Sequence, residues 1–113
     1  MQATLQDICK VIDAIVHVEG DLSRLVEKVA VGDLLSFVMG SDADGAAWIT
    51  IQTHLNVAAV AVLKDIPIIV IASGREPAAD LAARCREEGI AVASTPYSIF
   101  DACVRLGQLG LIG

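Results

Sequence analysis

Three short apolar segments in the second half of the chain, each followed by a polar elbow and a helical pattern, constrain the fold most strongly. Residues 48–51, 68–71 and 90–93 have the length and the aliphatic composition of buried strands. Small or polar residues follow each segment, and a helical pattern begins directly after them. Strands that alternate with helices form right-handed crossovers, which make neighbouring strands parallel. The sequence therefore predicts an α/β domain with a largely parallel sheet.

The first half of the chain adds two strands and two helices to this pattern. Thr4 is expected to begin a helix with Asp7 as its capping partner, and residues 14–18 and 26–31 have the pattern of strands. Asp33 is placed to cap a short second helix. The side chains expected to face inward are Leu5, Ile8, Cys9 and Ile12 in the first helix and Leu34, Leu35, Val38 and Met39 in the second. With the later segments, the predicted sheet has about five strands.

Three further helices are predicted downstream. Thr53 is expected to cap a helix over 54–64, Pro77 suits the first turn of the next helix, and Gly89 suits its left-handed end. Ser98, with Asp101 three residues later, is expected to begin the last helix. The inward-facing side chains are expected to be Leu81, Ala82 and Cys85, and then Ile99, Phe100, Cys103 and Leu106. The tail over 107–113 is expected to fray.

Length and charge exclude several classes of function. With 113 residues, no linker and a 55% hydrophobic composition, residues 1–113 are expected to form a single domain. The net charge of −6 and the scattered basic residues argue against nucleic acid and against an anionic membrane surface as partners. Because no signal peptide and no long apolar run are recognisable, a cytoplasmic location is expected.

The cysteines and aspartates give no sign of a metal or a cofactor. Cys9, Cys85 and Cys103 are widely spaced and form no CxxC motif, so neither a zinc site nor a disulfide framework is predicted. Buried thiols are expected at Cys85 and Cys103, with a redox-sensing thiol as the alternative. Residues 40–45 contain an Asp-x-Asp-Gly sequence but lack the other ligands of a calcium loop, so a solvated turn is expected.

The helix predicted over 54–64 is apolar on nearly every side. One face at helical spacing consists of Leu55, Ala58, Ala59, Val62 and Leu63. A helix of this kind must be covered on more than one side. The second cover is expected to be another copy of the chain, with Val57, Val60 and Ala61 at a homodimer interface. The alternative is that these small side chains are simply exposed.

The elbows after the three strands are where a ligand site is expected. Ligands of open parallel sheets bind beyond the carboxyl ends of the strands, and helix N-termini there offer free N–H groups to anions. The predicted ligand-binding residues are Thr53, His54, Ser73, Gly74, Arg75, Ser94 and Thr95. These hydroxyls and the guanidinium would hold a small anion such as a nucleotide phosphate. The alternative is that the hydroxyls only cap helices and turns.

No complete catalytic set is recognisable in the sequence. Phosphoryl transfer needs a phosphate cradle with a lysine, and neither a Gly-x-x-x-x-Gly-Lys nor a Gly-x-Gly-x-x-Gly motif is present. A hydrolase needs a nucleophile with a base, and His17 and His54 are the only histidines. His17 is expected on a strand, exposed or hydrogen-bonded, and His54 at the rim of an elbow. We therefore expect no catalytic residues and no enzyme activity.

The stretch over 48–106 resembles the DRTGG domain family, and the upstream half also fits it. The resemblance is carried by the strand, elbow and helix over 48–62, the strand and turn over 68–74, and the segment over 90–100. That last segment, a strand followed by Ser-Thr-Pro-Tyr-Ser-Ile-Phe, matches the family's last motif. The chain looks like a divergent stand-alone member of this family.

Two elbows depart from the family's pattern. The family's Asp-Arg pair corresponds to Thr53 and His54 here. Its Thr-Gly-Gly corresponds to Ala72, Ser73 and Gly74, so only the final glycine is kept. The anion chemistry attached to the Asp-Arg pair therefore does not transfer directly to this chain.

The resemblance implies a three-layer α/β/α sandwich, similar to the N-terminal domain of HPr kinase/phosphorylase. Family members accompany CBS domains in regulatory pyrophosphatases and occur in some phosphotransacetylases, where they look like dimerising, regulatory parts. We therefore expect a non-catalytic regulatory or interaction domain that forms a homodimer and senses a small anionic ligand such as a nucleotide. Another regulatory protein is a further expected partner. The alternative is a small enzyme that acts on a phosphorylated metabolite.

Overall fold

The computed structural model describes residues 2–113, which form seven strands and five helices. The strands are β1 (Ala3–Thr4), β2 (Ile15–Val18), β3 (Leu25–Val26), β4 (Val29–Val31), β5 (Ala47–Thr50), β6 (Ile68–Ile71) and β7 (Ala91–Ser94). The helices are α1 (Leu5–Val11), α2 (Leu35–Met39), α3 (Asn56–Leu63), α4 (Ala79–Glu88) and α5 (Ile99–Gly107). In this part of the chain, every helix is too short or too polar to cross a membrane.

A five-stranded, mostly parallel sheet organises the fold, as the sequence predicts. Its strand order is β2–β7–β6–β5–β4, and β1 pairs with β3 in a separate two-stranded sheet. The strands β4 to β7 are parallel to one another, whereas β2 is antiparallel to β7. The carboxyl ends of the parallel strands and the start of β2 therefore lie along one edge of the sheet. We call this edge, with residues 51–53, 72–75 and 95–97, the strand-end edge.

Helices cover both faces of the sheet, which gives the predicted three-layer sandwich. On one face, α1 and α5 pack on the sheet through an apolar cluster that contains Leu106. On the other face, α2, α3 and α4 pack through a second cluster that contains Val57. Trp48 of β5 is fully buried in this second cluster and donates its indole N–H to the carbonyl of Gly32 at 2.9 Å.

Capping contacts confirm three of the predicted helix ends. The Thr4 hydroxyl accepts the N–H of Asp7 and the Asp7 carboxylate accepts the N–H of Thr4, both at 3.1 Å, so α1 begins with a capping box. The Ser98 hydroxyl accepts the N–H of Asp101 at 3.1 Å at the start of α5. Gly89 ends α4 at φ 71°, in the left-handed region that glycine adopts without steric cost.

The region over 26–33 differs from the prediction in two ways. The single strand expected over 26–31 is two strands, because β3 pairs with β1 while β4 pairs with β5 in the main sheet. Asp33 does not cap α2, whose N-terminus has no side-chain cap. The Asp33 carboxylate instead accepts the hydroxyl of Thr50 at 2.8 Å and the N–H of Ile51 at 2.9 Å. It therefore ties the turn after β4 to the end of β5.

Some side chains predicted to face inward are exposed. In α5, Ala102 and Leu106 share the buried face at i, i+4 spacing, and Phe100 is 74% exposed because it lies on the other side of the helix. The five-residue helix α2 buries Val38 alone, since so short a helix presents one turn to the core. The exposed side chains that the prediction placed inside are Leu34, Met39 and Phe100.

The helices α3 and α4 begin later than predicted. Their N-caps are Leu55 and Ala78, neither of which contributes a side-chain cap, so Thr53 caps no helix and Pro77 lies before α4. The carbonyl of Thr53 accepts the N–H of Ala78 at 2.9 Å. A backbone hydrogen bond therefore joins the segment after β5 to the segment after β6, just before α3 and α4 begin.

The tail over 107–113 is held in place rather than frayed. The carbonyl of Ile112 accepts the N–H of Val29 at 2.7 Å, and the N–H of Ile112 donates to the carbonyl of Glu27 at 3.2 Å. Leu111 is buried in the first cluster. The tail therefore covers the outer side of the edge strand β4.

The three residues predicted at a homodimer interface are not available to a second copy. Val57, Val60 and Ala61 are 0%, 4% and 0% exposed, because they pack in the second cluster between α3 and the sheet. Their placement at an interface was therefore wrong. The large apolar side chains that α3 and its N-cap expose are Leu55, Val62 and Leu63.

Candidate functional site

The elbows after β5, β6 and β7 meet at the strand-end edge. The guanidinium of Arg75 donates to the carbonyl of Ile51 at 2.8 Å and so bridges the elbows after β6 and β5. The N–H of Gly74 donates to the carbonyl of Thr95 at 2.8 Å and joins the elbows after β6 and β7. The predicted site residues of all three elbows therefore lie along one edge, as expected for the carboxyl ends of parallel strands.

The tight turn after β6 does not offer a free anion cradle. Ser73 and Gly74 both have left-handed backbone, at φ 62° and 69°. Two such residues in succession would present N–H groups to an anion if those groups were free. The N–H of Ser73 instead donates to the carbonyl of Tyr97 at 2.7 Å, and the N–H of Gly74 is used as described above. The free N–H groups expected at this elbow are therefore engaged.

The hydroxyls of Ser94 and Thr95 are also used within the protein. Ser94 is 4% exposed, and its Oγ lies 2.7 Å from Nε2 of His17. The Thr95 hydroxyl is fully buried and donates to the carbonyl of Ile12 at 2.6 Å. It also accepts the N–H of Tyr97 at 3.3 Å. Neither hydroxyl is presented to a ligand in this structure. The Thr95 hydroxyl caps the turn at Tyr97, as the alternative expected, whereas the Ser94 hydroxyl pairs with His17 and caps neither a helix nor a turn.

The pairing of Ser94 with His17 was missed by sequence reasoning. The two residues are 77 positions apart, and they meet because β2 runs antiparallel beside β7. A Ser–His contact can activate a nucleophile, but a nucleophile must also reach its substrate. The burial of Ser94 therefore favours a structural role for the pair.

A groove between α3 and α4 opens next to the strand-end edge. It has a volume of about 640 Å³, within the range of small-molecule sites. Its apolar lining consists of Leu55, Ala58, Ala59 and Ala78, and its polar lining of His54, Asn56, Asp80 and Arg84. Both helices begin at this groove without a side-chain cap, so the positive ends of their dipoles face the same region. Of the predicted ligand-binding residues, His54 lines this groove.

Arg84 is the cation of this groove. Its Nε donates to Oε1 of Glu88 at 3.0 Å, one helical turn away. An exposed pair of this type contributes little to stability, so Arg84 can exchange this partner for a ligand at small cost. The groove was not predicted from the sequence, because its lining residues come from two helices that meet only in the fold.

Tyr97 joins the elbow after β7 to α1 and α5. Its hydroxyl donates to the carboxylate of Asp13, and the guanidinium of Arg105 stacks 4.0 Å from the ring centroid. Arg105 also donates to the carbonyl of Val11 at 3.3 Å. The hydrogen bond to Asp13 is the main cause that raises the pKa of Tyr97. This cluster was missed because its members come from three separate elements.

The thiols do not have the environment of reactive cysteines. Burial raises the pKa of Cys9 and of Cys103, and it raises the pKa of Cys85 to about 11. Thiolates, not thiols, are the reactive species, so these shifts oppose a redox-sensing role. Within residues 2–113, no three side chains of His, Cys, Asp or Glu group closely enough to hold a metal ion.

Comparison with known proteins adds one structural likeness. No family model and no curated protein matches this chain. Its structure is similar to that of the CBS and DRTGG domains of the regulatory region of Clostridium perfringens pyrophosphatase, solved with the activator diadenosine tetraphosphate. The TM-score is 0.78 at 16% sequence identity, over 91% of this chain and 45% of that chain. This chain therefore spans less than half of that structure's length. The likeness confirms that the chain has a DRTGG-like α/β fold.

Proposed function

We propose that this chain is a non-catalytic regulatory domain that acts as a homodimer and senses a small anionic ligand such as a nucleotide. The observation that carries the proposal is the contrast at the strand-end edge. The hydroxyls of Ser94 and Thr95 are used in internal hydrogen bonds, whereas the groove between α3 and α4 is open and is lined by the cation of Arg84. The structural neighbour is a regulatory region that was solved with a nucleotide activator, which supports the same type of role.

The non-catalytic part of the proposal rests on accessibility. Among the described residues, the hydroxyl that lies within hydrogen-bond distance of an imidazole is that of Ser94, and this residue is buried. His54 is exposed at the groove, but no hydrogen bond orients its ring. General-base catalysis needs a positioned base within reach of its proton. Turnover of a phosphorylated compound that disappears in His54→Ala would contradict this part of the proposal.

The ligand part of the proposal rests on the lining of the groove. Three alanines and a leucine form an apolar wall, on which a planar base can pack. The guanidinium of Arg84 lies at that wall and suits a phosphate, while the Asp80 carboxylate of the same lining offsets the positive end of α4. A nucleotide combines an apolar ring with an anionic group, so its chemistry matches both parts of the lining.

Thermal unfolding with and without ATP, ADP, AMP and diadenosine tetraphosphate at millimolar concentration tests the ligand part. A ligand at one hundred times its Kd adds about 2.7 kcal/mol to the free energy of unfolding, which raises Tm by about 10 °C here. Arg84→Ala is expected to remove this shift. Arg86→Ala is the matched control, because Arg86 is an exposed arginine of the same helix that does not line the groove.

The outcomes distinguish binding in the groove from binding at the strand-end edge. If the shift disappears in Arg75→Ala instead, the ligand binds at the elbow after β6 and the groove assignment is wrong. If Arg86→Ala reduces the shift as much as Arg84→Ala, the effect is one of overall charge. If no nucleotide stabilises the wild-type protein, the ligand part of the proposal is rejected.

A further inference from the structure

The helices α2 and α3 contain no charged residue. Apart from Ser36 and Asn56, their thirteen residues are apolar. The neighbouring helix α4 has five charged side chains among its ten residues, as is usual for a helix with one side in water. The cores of protein interfaces are depleted in charged side chains and enriched in Phe and Met. The composition of α2 and α3 therefore resembles that of an interface.

Large apolar side chains are exposed on these two helices and at their starts. The helices pack against each other, and the exposed fractions are 68% for Leu34, 65% for Phe37, 38% for Met39, 44% for Leu55, 40% for Val62 and 68% for Leu63. We call these six residues the α2–α3 surface. Because about half of each side chain is exposed on average, they offer roughly 500 Å² of apolar area, within the range of the largest patch of a typical monomer.

We infer that the α2–α3 surface binds a second copy of this chain. The inference rests on the homodimer of the proposed function and assigns its contact to named residues. Two copies would bury roughly 1,000 Å² in total, which is about the minimum for a specific interface. In a two-fold dimer the same patch faces itself, so an apolar patch is complementary to its own copy.

The charge of the chain supports a second copy as the occupant. With a net charge of −6, two copies repel each other wherever their carboxylates meet. The helices of the α2–α3 surface carry no charge, so apolar contact can form there without like charges placed opposite each other. A membrane is a poor occupant because basic side chains, which bind anionic lipid, are absent from both helices.

The edge strand β2 is a less suitable surface for the same contact. Ile15 and Val16 are 65% and 40% exposed, but β2 has only four residues and a bulge lies between Val16 and Val18. Bulges interrupt the regular pairing that an added strand needs. Ile15 is therefore a good control position, because its exposure is close to that of Leu63 on a different element.

Sedimentation velocity of the full chain, from low to high micromolar concentration, tests the inference. The wild-type protein is expected to dimerise within this range. Leu63→Glu and Phe37→Glu should each weaken the dimer at least about tenfold, because a carboxylate would be buried without a partner. Ile15→Glu should leave the dimer unchanged, and circular dichroism should show that all three variants fold.

Each other outcome overturns the inference in a different way. If the wild-type protein stays monomeric, both the assignment of the α2–α3 surface and the proposed homodimer are wrong. If that monomer still binds a nucleotide, the ligand part of the proposed function remains intact. A dimer that survives both Leu63→Glu and Phe37→Glu overturns the surface alone. A dimer that Ile15→Glu alone dissociates assigns the contact to β2 and leaves the homodimer in place.

Discussion

Thr95→Val is expected to destabilise the fold because the Thr95 hydroxyl has a structural role. The hydroxyl is fully buried and donates to the carbonyl of Ile12 at 2.6 Å. Valine has a similar shape but no donor, so that carbonyl would stay buried without this bond. Leaving a buried polar group unsatisfied costs about 1–3 kcal/mol, so we expect the free energy of unfolding to fall by about 2 kcal/mol. For a chain of 113 residues this corresponds to a decrease in Tm of about 8 °C.

Thermal and urea unfolding followed by circular dichroism measure this change. Thr95→Ser is the matched control, because it keeps the donor and removes one methyl group, and should cost about 1 kcal/mol. Ser73→Ala removes an exposed hydroxyl of the neighbouring elbow and should change stability by less than about 0.5 kcal/mol. A Thr95→Val variant as stable as the wild type would show that this hydroxyl does not stabilise the fold. A variant that kept full stability but lost nucleotide binding would show that the hydroxyl binds the ligand.

Two further predictions concern a close backbone contact and the one tyrosine. Gly20→Ala should lower the free energy of unfolding, measured with urea, by about 3 kcal/mol or more. Gly20 has a φ of 58°, and the added Cβ would lie 2.6 Å from the backbone nitrogen of Ala91. Gly89 also has a positive φ, 71°, but an added Cβ there would have nothing within 4 Å, so Gly89→Ala should lower the free energy of unfolding by only about 1–2 kcal/mol. If the two variants lost the same stability, the close contact at Gly20 would not be the cause. In a spectrophotometric titration, Tyr97 should ionise above the usual pKa of about 10, because deprotonation breaks its bond to Asp13. The stability that this bond contributes is fully present below pH ~10, the usual pKa of tyrosine, and it is lost as the pH rises through the raised pKa of Tyr97. Asp13→Asn should lower the pKa, and an unchanged value would show that the bond is absent.

Local sequence patterns predicted the sheet because its inner strands carry their own signal. The aliphatic run over 68–71 is long enough for a buried strand and too short for a helix, and it forms β6 in the middle of the sheet. The contacts that begin α1 and α5 join residues only three positions apart. The division of the segment over 26–31 was not predictable in this way, because it depends on pairing with two distant strands.

The candidate site was predictable in its position but not in its contacts. The meeting of the elbows follows from the parallel direction of the strands. The partners of Ser94 and Thr95 are 77 and 83 residues away, and they reach this edge because β2 is antiparallel. No feature of the four residues of β2 indicates that direction. Periodicity likewise cannot decide which side of α3 faces the sheet, because the helix is apolar all round, and the interface residues were misplaced for that reason.

Each face of the sheet contains one natural chromophore. The chain has a single tryptophan and a single tyrosine. Trp48 lies in the cluster under α2 and α3, whereas Tyr97 packs on the opposite face with α1 and α5. Indole emission therefore reports on the layer next to the α2–α3 surface, and phenol absorbance reports on the other layer. Events on the two sides of the molecule can be recorded separately, in unlabelled protein, by the choice of wavelength.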